Sequence, residues 1–455
     1  MTDSDLYRRA DALRQQGCVT VPAPSDLTYY DYQLEAISWL VSHPNAMLCD
    51  AMGLGKTCML IGLSNLLKLR SILVVVPASI RHQMASEFAR WSTLPGTVGV
   101  VTSGRHWPDA DTVICTYSLL GSHRRSIRQR RWDLLWLDES HYLKSPGAQR
   151  TREVYGAGRR DSARYIPRIE ADRVVCTTGT PILNRPIELW TTLHRLDPST
   201  YDNYISFARR FCGAKMTRWG WDVTGASHLD ELSDQLKGLM LRRRKEEVLT
   251  SLPPKRHVTF CLEDTPGVRD LIKREAKLEN LVEGGGSAVE FAKLSTVRHE
   301  LGLSKIPGII AHLRSYYEAE VPVIFFAQHL DVLSAVHAEF NGGSVLYTGR
   351  QSIPQKETSR DSFRRGKAWL WCGQIMASGV GLNLQRCGDR PVAHVLFGEL
   401  DWTPSLMDQC ADRAHRIGQT DTVLVEYIVY DRSLDARIAE TMIRKQRILA
   451  AVLDN

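Results

Sequence analysis

Three short strings in this chain carry residues whose types and order suit the handling of a nucleoside triphosphate. The first is CDAMGLGKTCML at residues 49–60. Its core, Met52, Gly53, Leu54, Gly55, Lys56 and Thr57, follows an apolar NAML and precedes an apolar helical stretch, the setting of a phosphate-binding loop. Backbone N–H groups of such a turn, aimed by a helix N-terminus, cradle phosphates. Lys56 adds a point charge at the β- and γ-phosphates, and the Thr57 hydroxyl can ligate Mg²⁺. Asp50 stands where the usual G-x-x-x-x-G-K-[ST] spelling has its first glycine. The second string, LDESH (137–141), ends a buried strand. Asp138 there can hold the Mg²⁺ shell, and Glu139 can orient and deprotonate an attacking water. The third, TTGTP (177–181), again follows an apolar run.

The elements that must position these strings are legible from periodicity. SILVVVP (71–77), TVICTY (112–117), DLLWLDE (133–139) and DRVVCTTG (172–179) read as buried strands. Between them, TCMLIGLSNLLKL and RHQMASEFARW have helical spacing. This βαβα rhythm predicts a parallel sheet covered by helices, with functional groups at the carboxyl ends of its strands. The rhythm stops near Pro198 and returns from 321 onward, in VPVIFFAQ (321–328), SVLYTG (344–349), AWLWCGQIM (368–376), VAHVLFGEL (392–400) and TVLVEYIVY (422–430). The expected organisation is an N-terminal extension (1–25), a first α/β lobe (26–198) that binds ATP, helical protrusions and a linker (199–305), a second lobe (306–433) and a C-terminal helix (434–455).

Bulk properties set the class. The 455 residues are 43% hydrophobic, enough for real cores, and no uncharged span is long enough to cross a membrane. The charged N-terminus lacks the apolar core of a secretory signal. Ten cysteines without a C-x-x-C pair point to reduced, buried thiols in a cytoplasmic protein that is neither secreted nor membrane-bound. A net charge of +7 permits a polyanionic partner without demanding one.

The order of the three strings, each after a strand, resembles the first lobe of superfamily two helicases. DWTPSLMDQCADRAHRIGQT (401–420) is similar to the last motif of that superfamily. Gln409, Arg413 and Arg416 fall at i, i+4 and i+7, one face of a helix that would reach the ATP held by the other lobe. Guanidinium groups placed there act as arginine fingers, worth on the order of 10³–10⁵ in rate. Together with TYYDYQLEAISWL (28–40), VVVPASIRHQMASEFARW (74–91), VICTYSLL (113–120), LMLRRRKEEVLTSLPPKRHV (239–258), VIFFAQHLDVL (323–333) and IMASGVGLNLQ (375–385), the chain resembles the Swi/Snf-type DNA translocases over nearly its whole length. The DESH spelling and LFGELDWTP point to their annealing-helicase branch.

That resemblance implies two RecA-like α/β lobes, ATP and Mg²⁺ as ligands, and DNA as partner. Gln33, with Tyr32 beside it, would recognise adenine, and an acidic residue at the place of Asp50 is ordinary for the family. Tracking motifs make contacts to phosphates that carry no base information, and the candidates are Ser79, Arg81, Thr116 and Ser118 in the first lobe and Ser378, Gly379 and Asn383 in the second. His141, Thr178, Gly179 and Thr180 would relay the state of the γ-phosphate. Departures from the family pattern, at Thr403, Cys410 and ASGVGLNL, bear on DNA coupling rather than hydrolysis. The basic strings HRRSIRQRR (123–131) and RRRK (242–245) are further groove candidates, whereas Trp107, Trp219 and Trp221 are assigned no role.

The function expected is a DNA-dependent ATPase translocating on duplex or forked DNA, independent of sequence. It would act as a monomer, with room for a targeting protein, and a lean motor without nuclear signals suggests a bacterial or viral genome. Two alternatives stand beside it: a strand-separating helicase on RNA or single-stranded DNA, and an ATP-gated binding switch with little turnover.

Overall fold

The computed structural model describes residues 20–440, apart from 159, 160, 163, 183, 184, 219, 250, 251, 284–287, 379–381 and 402. The chain divides into two compact units, one closing at Val248 and the other opening at Leu249.

The first unit holds strands β1 (Asn45–Leu48), β2 (Ile72–Val76), β3 (Val98–Val100), β4 (Thr112–Thr116), β5 (Trp132–Asp138), β6 (Ala171–Thr177), the short hairpin β7 (Lys215–Thr217) and β8 (Gly220–Asp222), and β9 (Met240–Leu241). Seven of these form one sheet in the order β3-β4-β2-β5-β6-β1-β9, every pairing parallel. Both faces of such a sheet are covered, which is why ILVVV in β2 and TVICT in β4 are apolar throughout and buried at every position. The helix Lys56–Leu67, which follows the phosphate-binding loop, is buried nearly all round. Asn65 pins it: Nδ2 donates to the carbonyls of Pro22 (3.2 Å) and Trp91 (2.8 Å), and Oδ1 accepts from the Thr93 N–H at 3.0 Å.

The second unit holds β10 (Lys255–Leu262), β11 (Val323–Ala327), β12 (Ser344–Tyr347), β13 (Leu370–Gln374), the short β14 (Arg386–Cys387) and β15 (Arg390–Pro391), β16 (His394–Phe397) and β17 (Val423–Tyr430). Its main sheet runs β10-β17-β16-β11-β13-β12, again parallel throughout. Side chains alternate across it as the period of two requires. Ile324 and Phe326 enter one core, while Val323, Phe325 and Ala327 enter the other. Two α/β lobes with parallel sheets, the RecA-like pattern expected, are thus what the chain forms.

The segment 199–305, read as a helical insertion, carries helices at Tyr204–Phe211 and Leu229–Leu236 but also strands of both sheets. β9 pairs with β1 in the first unit and β10 with β17 in the second. A buried Lys305 anchors the long helix Ala288–Glu318: Nζ donates to the carbonyls of Gly398 (3.1 Å) and Ile428 (2.9 Å) and pairs with Asp435. Residues 434–440 are helical, and 441–455, the rest of the segment read as a C-terminal helix, lie outside the described residues. Among the described residues no helix is long and apolar enough to cross a membrane.

Candidate functional site

The loop between β1 and the helix Lys56–Leu67 turns on two glycines in the left-handed region, Gly53 (φ 87°) and Gly55 (φ 86°). Only glycine takes that conformation without steric cost. Space closes on Gly55 as well, since a Cβ there would lie 2.6 Å from Gln33 Nε2. Tyr32 and Gln33 hold the loop from outside: the Tyr32 hydroxyl and Gln33 Nε2 each donate to the Leu54 carbonyl at 3.0 Å. Lys56 Nζ donates to the Asp50 carbonyl at 2.7 Å and to that of Ala51 at 3.4 Å.

Asp138 ends β5 and Glu139 directly follows it, two strands away from the loop in the same sheet. Two donors lead to Asp138: Trp136 Nε1 donates to Thr177 Oγ1 (2.8 Å), which donates to Asp138 Oδ1 (2.7 Å). The Tyr117 hydroxyl donates to the Asp138 carbonyl at 2.7 Å. Glu139 takes a left-handed backbone, φ 50°, which turns its side chain away from the strand's alternation. Its Oε2 accepts from Thr178 Oγ1 at 3.1 Å and lies 3.2 Å from His141 Nδ1. The Thr178 hydroxyl is also 3.1 Å from His141 Nδ1 and accepts from the Thr180 N–H at 3.1 Å. Glu139, His141, Thr178 and Thr180 are therefore one hydrogen-bonded cluster. Gly179 lies against the phosphate-binding loop, where a Cβ would sit 2.5 Å from Met52 Cγ.

Electrostatics separates the two carboxylates. Burial and the adjacent charge of Glu139 push the Asp138 carboxyl up to about 7. Burial also raises Glu139, but the hydrogen bond and charge of His141, the charge of Lys56 and the Thr178 hydroxyl outweigh it, so Glu139 sits below its ordinary value. Adjacent buried carboxylates under the influence of Lys56 form a donor set suited to a hard divalent cation, and Asp138 and Thr57 are the residues that would hold Mg²⁺. The arrangement can bind a phosphate chain and keep a carboxylate base ionised beside it.

The tracking candidates fare unequally. Ser118 is exposed, while Thr116 is buried with its hydroxyl 3.0 Å from Ser118 Oγ, where it can support Ser118. Arg81 opens the helix Arg81–Trp91, and its Nε donates to His82 Nε2 at 3.3 Å. Ser79 lies in the turn Ala78–Ile80 with its side chain outside the described set. Pro77, Ala78, Tyr117, Ser118, Tyr142 and Arg150 line one open cleft on this unit. The basic string 123–131 is largely structural: Arg124 and Arg128 pair with the buried Glu153, Arg131 pairs with Asp172, and the Arg130 guanidinium covers the Trp132 ring at 4.0 Å. Trp107 packs against His123 and Trp132, Arg209 covers Trp221, and Trp219 lies outside the described residues.

In the second unit the expected single helical face does not form. The helix Pro404–Ala411 ends with Asp412 at its cap, so Gln409 is helical while Arg413 and Arg416 lie in the turns that follow. The Arg413 carbonyl there accepts from the Leu384 N–H at 3.0 Å, a partner outside the helix. The same turns bring the fifth and last motifs together. Arg416 Nη1 donates to the Leu382 carbonyl (2.9 Å) and to the Asn383 side chain, and Arg413 Nη1 donates to the Leu382 carbonyl (3.4 Å). Asn383, read as a tracking residue, thus orients Arg416. Ser378, a tracking candidate, is fully buried, and Gly379 lies outside the described residues. Gln409 is buried, its Nε2 without a partner among the described residues.

Sequence reasoning passed over Thr177 and Tyr117, and it read Arg243 only as part of the groove-candidate string 242–245, whereas the structure pairs it with Asp50. Thr177 directly precedes the singled-out Thr178, and Tyr117 sits between Thr116 and Ser118, so adjacency was the available signal. Arg243 had none, because its partner Asp50 is distant in the chain.

The model of the SNF2-related domain matches residues 32–298. Over 432 residues the chain is 30% identical to the Xenopus tropicalis SWI/SNF-related matrix-associated actin-dependent regulator of chromatin subfamily A-like protein 1, covering 92% of this chain and 44% of the relative. It is 28% identical to the human DNA annealing helicase and endonuclease ZRANB3, covering 90% and 39%. The chain thus spans less than half the length of these curated relatives. Among solved structures, the Sulfolobus solfataricus SWI2/SNF2 ATPase core in complex with dsDNA aligns over 94% of both chains, at 20% identity and a TM-score of 0.45. On the match of the family model over more than half its length, this chain belongs to the SNF2-related family.

Proposed function

We propose that this chain is a DNA-dependent ATPase that couples hydrolysis to movement along duplex or forked DNA without reading its sequence. The observation that carries the reading is the setting of Glu139: a buried carboxylate that accepts from Thr178 at 3.1 Å and lies 3.2 Å from His141, in the same sheet end as the phosphate-binding loop and Asp138. Names of the relatives, a DNA annealing helicase among them, favour DNA as the polymer.

In this reading the loop N–H groups around Gly53 and Gly55 hold the phosphates, and Lys56 exchanges the Asp50 carbonyl for β- and γ-phosphate oxygens. Glu139 orients the attacking water and takes its proton, while His141 and Thr178 fix the carboxylate that does so. Thr57 and Asp138 would hold Mg²⁺, which when bound would supply charge neutralisation at the phosphates. Arg413 and Arg416 are the proposed fingers. DNA phosphates are met by Ser118 and its neighbours in the cleft of the first unit, through contacts that carry position rather than sequence.

The test is ATP turnover by purified protein alone and with duplex DNA, forked DNA, single-stranded DNA or duplex RNA, at a stated salt concentration because phosphate contacts are salt-dependent. Strong stimulation by duplex or forked DNA, absent from Lys56→Ala, is the expected result. Stimulation by RNA or single strands alone would replace it with the strand-separating reading, and no turnover with any polymer would leave a binding switch.

A further inference from the structure

A carboxylate inside a phosphate-binding loop is electrostatically adverse to an anionic ligand unless something neutralises it, so Asp50 needs a counter-charge. It is fully buried, and its partner is Arg243, from the stretch that follows β9. The pairing is two-pronged: Arg243 Nε donates to Oδ1 at 3.2 Å and Nη2 to Oδ2 at 2.5 Å. The remaining nitrogen, Nη1, donates to the Tyr32 carbonyl at 2.5 Å, and the guanidinium stands 5.4 Å from the centre of the Tyr32 ring. A planar fork can satisfy three acceptors at once in this way, which a lysine ammonium cannot reproduce.

The backbones are joined as well. The N–H groups of Met47, Cys49 and Ala51 donate to the carbonyls of Leu239, Leu241 and Arg243 at 2.7, 2.7 and 2.9 Å, so the parallel pairing of β1 with β9 continues into the loop itself. Asp50 is consequently a node: its carboxylate holds Arg243, and its carbonyl holds the Lys56 ammonium. Through Tyr32, Arg243 also reaches the far end of the loop, where the Tyr32 hydroxyl and Gln33 grip the Leu54 carbonyl. The chain leaves the first unit at Val248, shortly after Arg243.

We propose that Arg243 is a positioning residue of the nucleotide site. Acting through Asp50 and Tyr32, it holds the loop and the adenine-side residues as one body and ties Lys56 to the segment that exits the unit. This rests on the reading of the loop as the ATP site.

The experiment compares Arg243→Gln, Arg243→Lys, Asp50→Asn and the double variant Asp50→Asn/Arg243→Gln by titration with a fluorescent ATP analogue and by KM and kcat for ATP with duplex DNA. Melting curves confirm folding. Arg243→Gln and Asp50→Asn should each weaken nucleotide binding and raise KM by roughly tenfold, with Arg243→Lys between them and wild type. The double variant should be no worse than either single one, because each removes the same link. Folded variants that bind and turn over ATP like wild type, or single effects that add in the double, would overturn the proposal. Asp50→Asn, nearly isosteric, covers the case in which Arg243→Gln does not fold. Should wild type bind nucleotide without turning it over, the ATPase reading falls, and the titration alone still decides the role of Arg243.

Discussion

The Thr178 hydroxyl donates to Oε2 of Glu139 at 3.1 Å, joining the end of β6 to the end of β5 through the carboxylate read as the catalytic base. His141 approaches the same oxygen at 3.2 Å, so the carboxylate is held from two sides. Glu139→Gln should keep nucleotide binding and lose roughly 10²–10⁴ in kcat, the usual share of a general base. Thr178→Val should lower kcat less, with KM for ATP little changed, because it removes orientation and not the base. Steady-state kinetics checks both, and a Glu139→Gln protein with normal turnover would remove Glu139 from the mechanism.

Gly55 combines a left-handed backbone with a crowded Cβ direction, against Gln33 Nε2. Gly55→Ala should cost about 1–3 kcal/mol of stability through backbone strain and displace Gln33 from the Leu54 carbonyl. Calorimetry should show a lower Tm and titration a weaker nucleotide complex. An alanine variant that melts and binds as wild type does would mean the loop relaxes freely.

Glu426 in β17 is buried beneath three groups: His312 Nε2 at 2.8 Å, the Tyr316 hydroxyl, and His394 Nδ1 at 3.8 Å. Burial alone would raise its carboxyl, but the hydrogen bonds of His312 and Tyr316, with His394 close by, bring it down to about 2. A carboxylate depressed on folding stabilises the fold above its unfolded value, about 4.3, and that contribution is lost as pH falls through the folded value. Glu426→Gln should therefore lower the melting temperature at pH 6, and the gap to wild type should shrink as pH falls below 4. A gap that is constant with pH would show that the carboxylate's charge is not what stabilises the second unit.

Lys305 is almost fully buried and satisfied by two carbonyls and Asp435. Lys305→Ala leaves the Asp435 carboxylate to the more distant Arg298 guanidinium, at 3.6 Å, and should cost about 3–5 kcal/mol, the usual penalty for breaking a buried pair. Urea unfolding followed in the second unit measures it. A loss within about 1 kcal/mol, the worth of a surface pair, would show that water replaces the ammonium.

Much of the fold was legible because buried parallel strands are written as continuous apolar runs: ILVVV, TVICT and VIFFA could be little else. The phosphate-binding loop and the Asp-Glu pair were legible for a related reason, since each is a local backbone feature encoded by neighbouring residues. Less was legible where a role depends on what a side chain meets. Thr116 and Ser378 have the chemistry of phosphate ligands, yet both are buried. The helical face proposed for Gln409, Arg413 and Arg416 obeys the right period, but the helix ends at Ala411, before the arginines, and the Arg413 carbonyl meets the Leu384 N–H instead.

By itself, then, the sequence determined the two parallel-sheet lobes, the loop at Gly53–Thr57 and the carboxylates at the end of β5, because periodicity and short motifs act between neighbours. Tertiary structure alone decided that Thr177 anchors Asp138, that Asn383 orients Arg416, and that Arg243 neutralises Asp50. These links join residues that are remote in the chain, and a hydrogen bond or ion pair is specified by proximity in space, which no local pattern encodes.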